Sequence, residues 1–376
     1  MPKLKLITII GTRPDIIKLS EIIKKCDIYF DHLLIHTGQN YDYTLNEVFY
    51  KDLGLREPDH YLGVIGENLG ETIGNIISKT YSLLTETKPD AVFVLGDTNS
   101  TLCTIAAKRL KIPIFHLEAG NRCFDENLPE EVNRRIVDHI SDVNMPYSEH
   151  ARRYLLSEGI RKEYIFVVGS PMAEVLSKHT NKIKNSSILQ QLNLIPNKYI
   201  VLSAHREENI DLENNFFSLM NSINDMAEQY QLPVIYSTHP RSANFIEKRK
   251  FQFHPLVKNS KPFSFSDYIK LQIFSYCTVS DSGTLPEEAS FFKFPAVSIR
   301  TSTERPEAMD QGNFIIGNIS SEQLLQAVTL AVKRNERQET GSDVLCYNDI
   351  NMSIKIINII QSYTGIINSV IWKKIK

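Results

Sequence analysis

Acidic side chains are concentrated in the segment HLEAGNRCFDENLPEE, residues 116–131. The segment begins at the end of an apolar run and finishes as the first turn of a helical pattern. Carboxylates that share one site repel each other, so we expect at least one to have a raised pKa and to hold a proton near neutral pH. Two such groups can remove a proton from a carbon atom and return one from the other face. The acidic residues are Glu118, Asp125, Glu126, Glu130 and Glu131, and Asp97 lies just upstream.

These carboxylates also have a simpler interpretation. Glu130 and Glu131 fall in the first turn of PEEVNRR, where the helix dipole favours negative charge whether or not the residues do chemistry. Glu118 is different because it ends an apolar strand, where a charge is costly unless it has a role. Glu118 therefore carries the clearest functional signal in the segment.

A second group of residues fits an anionic ligand. The segment SDSGTLPEEAS, residues 280–290, follows an apolar run and opens a helix, whose free N–H groups and dipole favour a phosphate. Arg13, within GTRPD, and Lys18 are cations suited to phosphate oxygens. An ordinary helix start flanked by solvated cations would show the same pattern. A dinucleotide or ATP site is disfavoured because neither G-x-G-x-x-G nor a P-loop signature occurs.

His205, in the segment SAHREEN, follows another apolar run. A lone histidine is more often structural than functional. Its expected position opposite the acidic segment makes an acid–base role an equal alternative. Because no spacing typical of metal ligands occurs, we predict neither a metal site nor a cofactor.

Short apolar strands alternate with amphipathic helical patterns along the chain, which predicts parallel sheets covered by helices on both faces. A second series of alternating strands and helices begins after Gly169. We therefore predict two Rossmann-like α/β domains: residues 1–169 together with a C-terminal helix at about 350–376, and residues 170–349. Ligands bind such sheets at the carboxyl ends of the strands. Arg, His, Asp and Glu recur at these ends in both halves, which predicts a shared cleft between the domains.

Composition limits the classes of partner. The 376 residues are enough for two domains, and a formal net charge of −2 argues against a nucleic-acid partner. Five scattered cysteines without a C-x-x-C pair predict neither a disulfide framework nor a zinc knuckle. The N-terminus reads as a strand rather than a signal peptide, and we expect no apolar run of membrane-spanning length. These features predict a cytoplasmic protein without a membrane partner.

Motifs spread in order across nearly the whole chain resemble the non-hydrolysing UDP-N-acetylglucosamine 2-epimerase family. The resemblance implies two Rossmann-like domains of the GT-B type, a UDP-sugar substrate in the cleft between them and a homodimer. It also implies elimination of UDP across C1–C2 of the sugar, followed by readdition with the proton delivered to the opposite face. The motifs are GTRPD, HTGQN, GDTNST, HLEAGNR, PEEVNRR, SAHREEN, STHPR, SDSGTLPEEAS and RTSTERPE.

The resemblance also assigns roles to individual residues. Its catalytic positions fall on Asp97, Glu118, Glu130 and His205. Its diphosphate ligands fall on Arg13, Lys18, Ser282, Gly283 and Thr284. Glu288 matches the ribose ligand, and Arg134 matches an arginine that follows the acidic pair in the family.

Several positions depart from the family pattern. Asp15 replaces a glutamate, Thr284 replaces the second glycine of the phosphate turn, and Asn40 replaces a histidine from a segment that helps to bind a second, activating UDP-sugar. The last change weakens the expectation of such an activating site. With CFDENLPEE, these departures most resemble the branch that forms UDP-N-acetyl-L-fucosamine from UDP-2-acetamido-2,6-dideoxy-L-talose for capsule or O-antigen synthesis.

Other activities remain open from the sequence alone. Within the family, the enzyme could instead convert UDP-N-acetylglucosamine to UDP-N-acetylmannosamine. A hydrolysing epimerase, which releases UDP and free sugar, is a second alternative. Outside the family, a GT-B glycosyltransferase would share the fold but would need an acceptor and no pair of proton carriers. A non-catalytic UDP-sugar sensor is disfavoured because sensing does not call for a buried set of carboxylates.

Overall fold

The computed structural model describes residues 2–38, 49–300, 303–339 and 341–374. The chain divides into two compact units, the first made of Met1–Val175 and Asn348–Lys376 and the second of Leu176–Tyr347. Among the described residues, each unit contains a six-stranded sheet in which neighbouring strands run parallel. The prediction of two Rossmann-like α/β domains with parallel sheets is confirmed.

The strands of the first unit are β1 (Lys5–Ile10), β2 (Asp31–His36), β3 (His60–Tyr61), β4 (Ala91–Leu95), β5 (Ile114–Leu117) and β6 (Val143–Met145). They lie in the order β3-β2-β1-β4-β5-β6. The central strands β1 and β4, with the sequences KLITII and AVFVL, are buried almost throughout, as expected for strands covered on both faces. The strand order reverses between them, and such a point is a usual place for ligands.

The helices of this part of the chain are α1 (Arg13–Tyr29), α2 (Leu69–Thr87), α3 (Thr104–Arg109), α4 (Pro129–Ile140), α5 (Glu149–Ser157) and α6 (Met172–Asn185). Residues 49–53 are also helical, and 3-10 turns occupy Asn99–Cys103 and Lys162–Tyr164. α1 begins close to the end of β1 because Thr12 is extended at the N-cap and Pro14 lies in the first turn. Asp15 completes a capping box there.

The second sheet repeats the order of the first. Its strands are β7 (Ile200–Ser203), β8 (Val234–Ser237), β9 (Val257–Ser260), β10 (Cys277–Ser280), β11 (Ala296–Ser298) and β12 (Ile315–Ile316). They lie in the order β12-β11-β10-β7-β8-β9. β7 and β10 are therefore the counterparts of β1 and β4, and the strand order again reverses between them.

The second unit's helices follow its strands in alternation. They are α7 (Ile188–Gln191), α8 (Glu207–Ile210), α9 (Glu213–Tyr230), α10 (Pro240–Lys248), α11 (Phe265–Ile273), α12 (Leu285–Phe292), α13 (Pro306–Asp310) and α14 (Ser321–Glu336), with a 3-10 turn at Leu345–Tyr347. The core of the unit packs Phe216 and Ile223 of α9 and Val328 of α14 against strand residues such as Val279. This core holds the carboxyl ends of β7 and β10 side by side.

The last helix, α15 (Met352–Ile366), belongs to the first unit and continues as a π-helical turn, Ile367–Ile371. It packs on α1. Ser353 secures its start, because its backbone N–H and its hydroxyl donate to the two carboxylate oxygens of the buried Glu174, at 2.7 and 2.6 Å. The chain thus returns to the unit in which it began.

Met352–Ile371 is also long and apolar enough to cross a membrane, by length and composition alone, with a mean hydropathy of 1.2. The expectation that no apolar run would approach membrane-spanning length was wrong at this helix. Ile356, Ile360 and Ile367 of this helix are buried in the first unit, and an apolar stripe of this kind is equally typical of a core helix.

Candidate active site

Glu118 lies at the carboxyl end of β5 and forms a buried ion pair. Its two oxygens accept hydrogen bonds from Lys18 Nζ at 3.0 and 2.8 Å, and the Tyr147 hydroxyl donates to one of them at 3.2 Å. Glu118 is 7% exposed and Lys18 is 6% exposed. The φ angle of Glu118 is +67°, in the left-handed region that residues other than glycine seldom adopt. Strained backbone of this kind is concentrated at functional sites.

The Lys18–Glu118 pair joins α1 to the end of β5. The two residues are 100 positions apart in the sequence. Lys18 was predicted to bind a diphosphate, and in the structure its ammonium group contacts the Glu118 carboxylate. Removing one partner of a buried pair leaves an uncompensated charge and costs about 3–5 kcal/mol. Lys18 therefore holds the Glu118 carboxylate in place, and its diphosphate role stays a prediction.

Asp97 follows β4 and is fixed by Arg134 of α4. Its Oδ2 atom accepts hydrogen bonds from Arg134 Nε at 2.8 Å and from a terminal guanidinium nitrogen at 2.5 Å. Asn133 Nδ2 donates to the Asp97 backbone oxygen at 3.0 Å. The Asp97 side chain is 19% exposed, so part of the carboxylate remains accessible. The structure thus brings together two residues that the sequence singled out separately.

Glu131 supports this arrangement and was not predicted as a site residue. It is fully buried, and one of its oxygens accepts hydrogen bonds from Arg134 at 2.8 Å and from the Cys123 backbone N–H at 3.2 Å. Glu130, the predicted catalytic residue, is partly exposed in the same first turn of α4. Glu130 and Glu131 lie four and three positions before Arg134, so both are on its side of the helix, and Glu131 is the fully buried one. The catalytic role of Glu130 stays a prediction.

Asp15 shapes the turn that carries Arg13 at the end of β1. Its Oδ2 atom accepts hydrogen bonds from the backbone N–H groups of Gly11 and Thr12, both at 2.9 Å. Burial raises the pKa of Asp15 to about 6, although these two donors and the charge of Lys18 act in the opposite direction. Arg13 is partly exposed, and its guanidinium lies 5.9 Å from the centre of the Phe49 ring.

In the second unit, His205 at the end of β7 is paired with Asp281 at the end of β10. His205 Nδ1 lies 3.1 Å from Asp281 Oδ1, and the backbone N–H groups of His205 and Arg206 donate to Asp281 Oδ2 at 2.8 and 2.9 Å. Burial opposes ionisation of Asp281, but His205 and Arg206 together outweigh it and hold the pKa of Asp281 well below its usual range. The His205 side chain is 39% exposed, so its ring is anchored on one side and accessible on the other.

The predicted phosphate turn precedes α12. The hydroxyls of Ser282 and Thr284 lie 3.0 Å apart, and the Thr284 hydroxyl donates to Glu288 Oε1 at 2.7 Å. Gln272 Nε2 donates to the other oxygen of Glu288 at 2.8 Å. A Cβ atom at Gly283 would lie 3.2 Å from Glu304 Oε1, which makes that position tight for a larger residue. The turn and the predicted ribose ligand are therefore held as one hydrogen-bonded group.

Several residues at these strand ends escaped the sequence prediction. Asp281, Tyr147 and Arg206 all follow strands, so their position gave a signal, but nothing local indicated their partners. Arg206 Nε donates to the Asp281 backbone oxygen at 3.0 Å, and its guanidinium lies 3.7 Å from Glu304.

The predicted site residues form one group in each unit. Arg13, Lys18, Asp97, Glu118, Glu130 and Arg134 belong to the first unit, and His205, Ser282, Gly283, Thr284 and Glu288 belong to the second. Asn40, on which the expectation about an activating site rested, lies outside the described residues. Within the described part of the chain, no group of three or more His, Cys, Asp or Glu side chains is arranged to hold a metal ion.

Comparison with known proteins identifies the family. Residues 24–361 match the family model described as UDP-N-acetylglucosamine 2-epimerase. A solved structure of UDP-N-acetylglucosamine 2-epimerase from Rickettsia bellii is 44% identical with a TM-score of 0.90, and the match covers 99% of this chain and 100% of that one. The Methanocaldococcus jannaschii UDP-GlcNAc 2-epimerase, solved in complex with UDP-GlcNAc and UDP, is 31% identical with a TM-score of 0.89, covering 96% of this chain and 100% of that one.

A relative with a different substrate is similar over most of the chain. The UDP-2,3-diacetamido-2,3-dideoxy-D-glucuronate 2-epimerase of Pseudomonas aeruginosa is 32% identical over 321 residues, which is 84% of this chain and 88% of that protein. The names of these relatives share C2 epimerisation and a UDP-linked sugar. The chain therefore belongs to the non-hydrolysing UDP-N-acetylglucosamine 2-epimerase family, and its class of activity is that of a UDP-sugar 2-epimerase.

Proposed function

We propose that this enzyme inverts C2 of a UDP-2-acetamido sugar by eliminating UDP and adding it back. The observation that carries the proposal is the buried Lys18–Glu118 pair, in which a strained turn at the end of β5 holds a carboxylate in one position. Asp97 follows β4, the neighbouring parallel strand, so the two carboxylates lie at the same edge of one sheet. Inversion requires proton carriers on both faces of C2, and two carboxylates supply them.

The proposed reaction begins with removal of the C2 proton by a carboxylate. The electrons of the C2–H bond form the C1=C2 double bond, and the electrons of the C1–O bond leave with UDP. In the return step, a UDP oxygen attacks C1 and a carboxyl group delivers a proton to the opposite face of C2. One proton is removed and one returned, so the sequence involves no net oxidation or reduction.

The departing UDP gains negative charge, which fixed cations and N–H donors stabilise. In the first unit, we assign this role to Arg13 and, once ligand is bound, to Lys18. In the second unit, we assign it to His205 and to the turn Ser282–Gly283–Thr284 at the start of α12, where the helix dipole favours anions. The Asp281 carboxylate lies 3.1 Å from Nδ1 of the His205 ring and so orients it. Glu288 is proposed to accept hydrogen bonds from the ribose hydroxyls.

Breakage of the bond to UDP can be tested with a substrate that carries ¹⁸O in the bridge between C1 and the β-phosphate. Elimination frees the β-phosphate to rotate, so the label should move into the non-bridging positions of recovered substrate. Phosphorus NMR detects this movement. If the label stayed in the bridge while epimerisation proceeded, elimination of UDP would be ruled out.

For the sugar itself, we propose UDP-2-acetamido-2,6-dideoxy-L-talose, converted to UDP-N-acetyl-L-fucosamine for capsule or O-antigen synthesis. The support is the resemblance of the segments GNRCFDENLPEEVNRR and SAHREENID to that branch. UDP-N-acetylglucosamine is the second candidate, because it is the substrate in the names of the Rickettsia and Methanocaldococcus relatives. The Pseudomonas relative shows that substrate differs between members at about this level of identity.

Competition between the two donors decides the substrate. We expect kcat/KM for the 6-deoxy-L-talose donor to exceed that for UDP-N-acetylglucosamine by ~10-fold or more, the size of discrimination that one or two sugar contacts supply. The reverse ranking would establish the second candidate. Loss of either donor without a new UDP-sugar, with UDP and free sugar released, would instead indicate the hydrolysing reaction.

We also propose that the enzyme acts as a cytoplasmic homodimer, on the strength of the family resemblance. Light scattering on the purified protein should give twice the mass of one chain across micromolar concentrations. A mass equal to one chain throughout that range would contradict the dimer.

A further inference from the structure

A buried histidine connects the two turns that carry Asp97 and Glu118. His116, within β5, is fully buried. Its Nε2 atom lies 2.8 Å from the backbone oxygen of Gly96, immediately before Asp97, and its Nδ1 atom lies 3.0 Å from Asp138 Oδ1. A carbonyl oxygen only accepts, so Nε2 carries a proton. The His116 ring therefore lies between the turn that carries Asp97 and the Asp138 carboxylate.

Asp138, on α4, connects this histidine to the turn that follows Glu118. Its carboxylate accepts hydrogen bonds from the Gly120 backbone N–H at 3.2 and 3.1 Å and from Arg122 at 2.7 Å. Burial of Asp138 opposes ionisation, but His116 and Arg122 outweigh it and lower the pKa of Asp138. The Asp138 carboxylate thus lies against the His116 ring and fixes the Gly120 backbone at the same time.

The two turns have little freedom to adjust by themselves. Gly96 and Gly120 have φ angles of +69° and +78°, in the region that favours glycine. A Cβ atom at Gly120 would lie 2.5 Å from the Ala151 backbone oxygen, so this turn passes very close to α5. The positions of Asp97 and Glu118 therefore depend on what holds Gly96 and Gly120, and the His116–Asp138 pair contacts both.

We propose that His116 and Asp138 are positioning residues that set the spacing of the Asp97 and Glu118 carboxylates for proton transfer at C2. Neither residue needs to contact the sugar. The inference rests on the proposed function, because it assumes that these two carboxylates carry the proton. A misplacement of about 1 Å in a reacting group can lower a rate by roughly 100-fold, so loss of the pair affects kcat more than ligand binding.

The test compares Asp138→Asn with Asp142→Asn. Asp142 is also a buried aspartate of the first unit, 7% exposed, and it accepts hydrogen bonds from Lys108 at 2.6 Å and from the Ile114 backbone N–H at 3.0 Å. Ile114 begins β5, so this control acts at the opposite end of the strand. We would measure the melting temperature, the Kd for UDP, and kcat and KM at a temperature where all variants are folded. His116→Gln is the second variant, for use if Asp138→Asn fails to fold.

We expect Asp138→Asn and His116→Gln to lower kcat by ~10-fold or more, with KM and the Kd for UDP nearly unchanged, and Asp142→Asn to retain most of kcat. Equal losses of kcat in Asp138→Asn and Asp142→Asn would overturn the proposal, because both would then report stability alone. A normal kcat in Asp138→Asn would also overturn the proposal. If Asp138→Asn does not fold, a normal kcat in His116→Gln would do so.

Nitrogen NMR of the unmodified enzyme gives a reading that does not depend on turnover. The Nε2–H group of His116, which donates to the Gly96 backbone oxygen, should give a signal protected from solvent exchange. Asp138→Asn should shift this signal or weaken its protection, and His116→Gln, which removes the ring, assigns it. A His116 signal that stayed unchanged in folded Asp138→Asn would overturn the proposal even if kcat fell. Failure of the unmodified enzyme to epimerise any UDP-2-acetamido sugar would refute the proposed function instead, while the NMR signal would still report the His116–Asp138 pair.

Discussion

Two buried aspartates, one in each unit, accept hydrogen bonds from the turn after equivalent strands but have pKa values shifted in opposite directions. Asp15 accepts hydrogen bonds from the N–H groups of Gly11 and Thr12 after β1, and Asp281 accepts them from His205 and Arg206 after β7, the counterpart of β1. Burial raises the pKa of Asp15 to about 6. Burial acts in the same direction on Asp281, yet the adjacent His205 and Arg206 hold its pKa well below the usual range.

The two units share the backbone turn that donates to the buried aspartate. The charged groups beside the aspartate decide whether its pKa is raised or lowered. The first unit places carboxyl groups at its strand ends and pairs Glu118 with a buried lysine. The second unit buries its carboxylate beneath a partly exposed histidine, whose ring it anchors on one side. We therefore expect the first unit to carry proton transfer and the second to supply most of the diphosphate binding, with Arg13 and Lys18 of the first unit assisting.

Glu118→Gln should have the largest effect on turnover. The amide keeps the size of the side chain but cannot take a proton from carbon, so we expect kcat to fall by ~100-fold or more. UDP binding should change little, because the diphosphate turn belongs to the second unit. Steady-state kinetics and calorimetry measure the two effects.

Glu126→Gln is the matched control for that variant. Glu126 lies in the same acidic segment, but its side chain is 75% exposed and pairs with Arg135 at the surface. It should keep normal turnover. If Glu118→Gln were as active as Glu126→Gln, proton transfer could not be assigned to the first unit.

Asp281→Asn should have an intermediate effect on turnover. The change removes the negative charge that pairs with His205, so we expect kcat to fall by about 10-fold, equivalent to one charged hydrogen bond. The Kd for UDP should rise, in contrast to Glu118→Gln. Asp343→Asn, which alters an exposed ion pair with Lys293 in the same unit, serves as the control. An unchanged Kd for UDP in Asp281→Asn would break the division of roles between the units.

Asp15→Asn should have the smallest effect on turnover and a measurable effect on stability. The pKa of Asp15 is raised from 3.8 to about 6 on folding, so the folded state binds this proton more tightly than the unfolded state. The resulting stabilisation is present below pH 3.8 and is lost as the pH rises through about 6. It amounts to about 3 kcal/mol, and the asparagine variant does not titrate.

The free energy of unfolding of Asp15→Asn, relative to that of the unmodified enzyme, should therefore rise between pH 4 and pH 7. Urea unfolding at both pH values measures this difference. A difference that stayed constant with pH would show that Asp15 does not titrate in this range. Such a result would mean that the pKa of Asp15 is not raised, so the proposed difference from Asp281 would be lost.

The sequence predicted the elements and the strand ends well, because continuous apolar strands and helical periodicity are local signals. Glu118 was recognisable as a charge at the end of an apolar strand. Its partner Lys18 is 100 residues away, and His205 pairs with a carboxylate after another strand. Such pairings depend on how strands order in a sheet, which local patterns do not specify. The sequence thus indicated the candidate residues but not their partners.

The sequence also could not distinguish between adjacent acidic residues. Glu130 and Glu131 are equally suited to a helix start, and only the packing of α4 decides that Glu131 is the buried partner of Arg134. In the same way, the sequence marked Asp15 as a conservative departure from the family pattern but gave no sign of its pKa. That value arises from burial, which exists only in the folded unit.

Proton NMR of the reaction in heavy water tests the central claim most directly. If carboxyl groups of the first unit remove the C2 proton and return another from the opposite face, the product epimer must carry solvent deuterium at C2. With the unmodified enzyme, the product should lack the C2 proton signal, and deuterated product should accumulate at the rate of turnover. A product that retained its original hydrogen at C2 would contradict the account.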